Sequence, residues 1–156
     1  MKKTAFSLFL AGIIALPGFA LAKPVTLTTQ LKDYSGDGAY LAIYVTDAQG
    51  KYQKTLWVSG KKAKYYKHLR DWARGSGLKS TEFDGVSGAS VGSGRTLKVT
   101  ADLADALIDA GYEIRIDSAV EDGRDNAADV RVPLTKAGAG KPTVGRGYVR
   151  AFTYDM

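Results

Sequence analysis

Residues 25–31 alternate: Val25, Leu27, Thr29 and Leu31 share one face of an extended segment and polar side chains take the other. Residues 40–46 (YLAIYVT) are apolar almost without interruption and rich in aromatic and β-branched types, which predicts a strand in the middle of a sheet. Asp47-Ala48-Gln49-Gly50 supplies a turn, and residues 52–59 return as the second arm of a hairpin. From Lys61 the period changes. Tyr65, Leu69, Trp72 and Ala73 recur at helical spacing, with Lys64, Lys67, Arg70 and Arg74 on the opposite side, so a helix is predicted over 61–74. Gly75 and Gly77 stand where such a helix would end.

Residues 75–95 then read as a long loop rich in glycine and serine, a length that in a compact domain points to function or to disorder. Leu97 to Val99 opens another strand, and residues 103–108 read as a short helix or a turn. Residues 111–120 and 128–134 alternate again, with Tyr112, Ile114, Ile116, Val130, Val132 and Leu134 inward. Residues 136–147 are loose, and 148–154 form the last strand. No β-α-β alternation and no internal repeat occurs. The predicted fold is therefore mostly β, an antiparallel sandwich of about seven strands, immunoglobulin-like in architecture, with one inserted helix.

The first residues follow another logic. Lys2 and Lys3 precede an apolar run over 5–16 broken only by Ser7 and Gly12. Pro17 and Gly18 interrupt it, and Ala20-Leu21-Ala22 offers small residues at both recognition positions of a signal-peptide cleavage site. Residues 1–22 are read as a signal peptide cleaved before Lys23, residues 23–156 as a single domain, and the location as the periplasm. No later apolar stretch approaches the ~20 residues that a membrane span needs. Without Lys2 and Lys3 the chain keeps 20 basic and 16 acidic residues, a net charge of +4. That is too diffuse to point to nucleic acid, and export removes such a partner. The sequence has no cysteine and one histidine, His68, which excludes disulfides, thiolate metal sites and cysteine nucleophiles. Asp122, Asp125 and Asp129, with Glu121 and Asn126, lack the glycine and terminal Glu of a calcium loop and are read as a polar turn.

The segment LWVSGKKAKYYKHLRDWARGSG, over 56–77, followed by DGVSGAS over 84–90, resembles the bacterial periplasmic family catalogued as domain of unknown function 2271. Leu69, Arg70 and Trp72 fall at the spacing typical of its helix. Gly111-Tyr112 and Glu121-Asp122-Gly123 match its later strand and acidic end. The resemblance implies an immunoglobulin-like fold. The chain departs from the family at ADLADALIDAG, where members often carry a Trp-Asp-Gly-x-Asp element.

Asp84-Gly85-Val86-Ser87-Gly88-Ala89-Ser90 is also similar to the flavinylation motif of exported redox proteins. In those proteins a periplasmic FMN transferase cleaves FAD and joins the FMN phosphate to the hydroxyl of the last Ser or Thr. The resemblance makes Ser90 the acceptor, with Asp84, Ser87, Gly88 and Ala89 completing the recognised segment. A hydroxyl is a weak nucleophile and must enter another protein's active site, so a sterically bare loop suits the task. Gly85, Gly88 and Ala89 supply that bareness, and the tail Val91-Gly92-Ser93-Gly94 is expected to let a bulky ring swing or settle on the surface. Trp57, Trp72, Tyr65 and Tyr66 could stack on such a ring, but core packing is the default reading of aromatics at these spacings, and Trp72 is expected to be buried against the sheet with Leu69.

These readings give a non-enzymatic electron carrier with covalent FMN. Its partners would be the FMN transferase and a membrane-bound redox protein, a PepSY-type protein being what the family context implies. The alternative is a non-redox binding or adaptor module using the basic helix face or a free sheet edge. Haem or iron handling ranks lower, opposed by one histidine and no cysteine.

Overall fold

The computed structural model describes residues 21–156. All of the expected signal peptide except Leu21 and Ala22 lies outside the described residues. Eight strands form two sheets: β1 (Ala22–Leu31), β2 (Tyr40–Thr46), β3 (Tyr52–Ser59), β4 (Ser87–Gly88), β5 (Thr96–Ala104), β6 (Glu113–Ala119), β7 (Asp125–Pro133) and β8 (Val149–Asp155). One sheet has the order β5-β1-β8 and the other β4-β3-β2-β6-β7. All pairings are antiparallel except that of β3 with β4.

The alternation in β1 works as the sequence implies, with Val25, Leu27, Thr29 and Leu31 all buried between the sheets. They meet Leu41, Ile43 and Val45 of β2, Ile114 and Ile116 of β6, and Phe152 and Tyr154 of β8. The unbroken apolarity of β2 has a separate cause. Its other face, Ala42 and Tyr44, lies with Val58 and Ala119 under a second cluster made by Tyr66, Leu69 and Trp72. A strand buried on both faces has no solvent side to mark with polar residues.

The cover of that second face differs from the expected helix. Residues 61–74 are not one helix: Ala63–His68 is a 3₁₀ segment and α1 (Arg70–Ser76) follows it. Leu69, at φ −84° and ψ 73°, breaks the chain between them. Three residues per turn align Tyr66 with Leu69, so Tyr66 is buried and Tyr65 is half-exposed, the reverse of what a 3.6-residue period gives. The break has a physical origin in the sheet. Asp117 of β6 accepts hydrogen bonds from the backbone N–H groups of Asp71 (2.8 Å) and Trp72 (2.9 Å), capping α1 from another element. Gly77 closes α1 in the left-handed conformation at φ 63°, as its position predicted.

Two smaller expectations also change. Leu103 belongs to β5, and only Asp105–Leu107 forms a 3₁₀ turn. The loop over 75–95 is not irregular throughout: it holds a 3₁₀ turn at Ser80–Glu82 and the short strand β4.

Beneath α1 the polar groups are paired. Trp72 Nε1 donates to Thr55 Oγ1 (2.9 Å), and the Tyr52 hydroxyl donates to Glu82 (2.6 Å) while sharing a 2.7 Å hydrogen bond with Thr55. Burial, then the bond to Glu82, raises the Tyr52 phenol from 10.0 to about 12. The folded value exceeds the unfolded one, so this group's contribution is complete below pH 10 and lost as pH climbs toward 12. Burial raises Tyr44 in the same direction. Denaturant titrations across that alkaline window should show falling stability, with a shallower fall in Tyr52→Phe.

Candidate functional site

The segment over 84–90 lies on an edge of the five-stranded sheet. Gly85, at φ 79° with nothing within 4 Å of a Cβ position, turns the chain in open space. Val58 N–H donates to Val86 O (2.9 Å) and Gly60 N–H to Gly88 O (2.8 Å), which fastens β4 beside β3. Ala39 and Val91 then exchange both backbone hydrogen bonds, at 2.7 and 3.0 Å. The tail beyond is also tied. Ser93 Oγ accepts from Tyr34 N–H (2.7 Å), Gly94 N–H donates to Lys32 O (3.0 Å), and Leu31 N–H donates to Arg95 O (2.9 Å). Of the two expectations for the glycine tail, the one in which it is free to swing is corrected, because these bonds hold it against the end of β1 and the residues after it.

Within this fastened edge the motif side chains divide. Asp84, Ser87, Ala89 and Ser90 are exposed, and Gly88 turns toward Trp57. Val91 is buried between the sheets, and Ser90 turns the other way, against Gly38. A Cβ at Gly38 would fall 2.7 Å from Ser90 Oγ. Among the described residues, the side chains of Asp84, Ser87 and Ser90 make no hydrogen bond, so no base is poised to activate Ser90.

Beside Ser90, past Tyr40, opens a cleft of about 560 Å³. Tyr40 and Tyr65 stand edge to face with centroids 5.8 Å apart. His68, Arg70 and the turn over 121–125 complete the lining, with Ala119 and Val120 at its base. Asp125 Oδ2 lies 3.1 Å from His68 Nδ1 and 3.2 Å from Arg70 Nε, and the Tyr65 hydroxyl donates to Glu121 (3.2 Å). His68 is thus a partnered histidine at the surface.

The aromatic candidates separate in the same way. Trp72 and Tyr66 are buried and unavailable to a ligand, and Trp57 lies half-buried on the inter-sheet side. Tyr65 alone of the four lines the cleft; its partner Tyr40 was not singled out from the sequence. Its strand pattern gave no such signal, because Tyr40 also reads as an ordinary strand residue. The three aspartates of the β6–β7 region do not converge. Asp122 is exposed, Asp125 serves His68 and Arg70, and buried Asp129 accepts from Ser118 Oγ, Gly147 N–H and Val149 N–H. Among the described residues no group of three or more His, Cys, Asp and Glu side chains is placed to hold a metal ion.

The model of the DUF2271 family, described as predicted periplasmic protein, matches residues 22–151. The chain belongs to this family. The match runs from the first residue of β1 into the start of β8, so it spans nearly all of the sandwich, including α1, the motif segment and the cleft. The family description places the protein in the periplasm. Among the described residues no helix is long and apolar enough to cross a membrane. No curated protein and no solved structure gives a match.

Proposed function

We propose that this DUF2271 protein carries FMN on Ser90 and serves as a periplasmic electron carrier, not as an enzyme. The observation that supports this reading is an exposed hydroxyl without a base, at the end of Asp84–Ser90, on a fastened edge of a rigid sandwich. Such a hydroxyl has little use in catalysis by its own chain and suits modification by another protein. In that step Ser90 Oγ attacks the FMN phosphorus of FAD. The Ser90 O–P bond forms, the bond between the two phosphates breaks, AMP leaves, and the serine proton passes to a base of the FMN transferase. Asp84 and Ser87, both exposed and uncommitted, would be read by the transferase. The attached ring then accepts electrons from a membrane-bound redox protein and hands them to an extracytosolic acceptor.

Produced with a periplasmic FMN transferase, wild type should run as a fluorescent band on denaturing gels. Ser90→Ala should abolish the band without unfolding the domain, because Ser90 lies outside the core. Ser90→Thr should keep it, since the hydroxyl remains, and Ser87→Ala should keep it too. A dark wild type, in cells where a known acceptor is labelled, favours the adaptor reading. The exposed basic face of Lys64, Lys67, Arg70 and Arg74 would then be the surface to test.

A further inference from the structure

The cleft and the acceptor hydroxyl meet at the end of the sheet where β2 begins, and three observations connect them. First, Ala39 and Val91 form an antiparallel bridge, which makes Tyr40 and Ser90 the next residues on each chain. Positions facing each other across such a pairing lie about 4.5–5.5 Å apart at Cα. Second, Ala39 and Val91 both enter the core between the sheets, so Tyr40 and Ser90 turn to the opposite face, the one that carries Tyr65 and Tyr66. The approach of Ser90 Oγ to Gly38 fits this orientation. Third, the Tyr40 ring lies over Gly60 so closely that a Cβ there would overlap it, and Gly60 N–H holds Gly88 O. The wall of the cleft and the motif segment are thus fixed to the same glycine.

The geometry points to a seat for a flat aromatic ring: the isoalloxazine of an FMN on Ser90 lies back in the cleft against the wall formed by Tyr40 and Tyr65. This rests on the reading of Ser90 as the acceptor. The ribityl chain is longer than the roughly 5 Å between facing positions, so the ring reaches past Tyr40. A cleft of about 560 Å³ is within the size range of small-ligand sites. Its two phenol rings and Val120 supply apolar contact, and Arg70 and Arg124 stand at the rim, where their N–H groups can meet the ring carbonyls. The seat fixes the ring to the face covered by the 3₁₀ segment. It leaves the ring's outer edge toward the mouth of the cleft for a redox partner.

Flavin fluorescence tests the seat. An excited isoalloxazine in contact with tyrosine takes one electron from the phenol ring and returns it without emitting, whereas phenylalanine is too hard to oxidise. FMN-labelled wild type should be strongly quenched when native and recover its emission in denaturant. Tyr40→Phe with Tyr65→Phe keeps the shape of the walls, so labelling should be unchanged while native emission rises several-fold. Native wild type as bright as denatured protein at equal labelling would overturn the seat and leave Ser90 attachment standing. Brightening by Trp57→Phe but not by the tyrosine pair would also overturn it, by placing the ring on the inter-sheet side. An unlabelled wild type overturns the acceptor reading itself, and the seat with it.

Discussion

Trp72→Ala is expected to lower the unfolding free energy by about 3–5 kcal/mol, the range for removing a fully buried large aromatic side chain. Trp72 has 0% exposure and anchors the second cluster, touching Tyr66 and Phe83 with ring centroids 5.6 and 6.0 Å away. Its loss leaves a cavity under α1, and also leaves Thr55 without its indole donor. A helix of seven residues has no independent stability, so little remains to hold α1 on the sheet once its anchor is gone. Trp72→Phe fills most of the space and should cost about 1–2 kcal/mol, chiefly for lost contacts and the lost hydrogen bond. Denaturant unfolding of both variants checks the pair. Near-wild-type stability for Trp72→Ala would show that α1 contributes little to the fold.

Asp117→Ala should have an effect of similar size, about 2–4 kcal/mol, because it orphans several buried donors at once. Asp117 Oδ1 accepts from the Tyr44 hydroxyl (2.9 Å) and Ala128 N–H (2.8 Å), and Oδ2 from the backbone of Asp71 and Trp72. One side chain thereby joins β2, β6, β7 and α1. Burial pushes its carboxyl above the ordinary carboxylate range, and the hydrogen bonds from Trp72, Ala128 and Tyr44 pull it only part of the way back. The local consequence is more telling than the global one. Amide exchange at Asp71, Trp72 and Ala128 should accelerate well beyond that of the Ile116–Val130 pairing between β6 and β7. Unchanged protection at those three amides would contradict the role assigned to Asp117.

The sequence reveals the sandwich because its signals are local. Val25, Leu27, Thr29 and Leu31 display their alternation within seven residues, and the unbroken run of β2 announces burial on both faces. The cap over β2 was misread because its cause is distant. Only the folded sheet brings Asp117 to the amides of Asp71 and Trp72, and that capping accompanies the break at Leu69 that trades Tyr65 for Tyr66. The strand β4 was invisible for another reason. Ser87-Gly88 has no side-chain pattern, and its place is set by backbone bonds to Val58 and Gly60. The motif at Ser90 was legible as a string of residues; its fastening was not. The cleft draws on Tyr40, Tyr65 and the turn over 121–125, three stretches with no common motif, and only the topology assembles them.

The central claim is that Ser90 bears the flavin, and tandem mass spectrometry of one peptide tests it most directly. Trypsin cuts after Lys79 and Arg95, so residues 80–95 are released together with the hydroxyls of Ser80, Thr81, Ser87, Ser90 and Ser93. In protein made alongside a periplasmic FMN transferase, the account predicts that this peptide gains one FMN less one water, with fragment ions placing the gain on Ser90. An unmodified peptide from cells in which a known acceptor is labelled, or a gain assigned to Ser87 or Ser93, would contradict it.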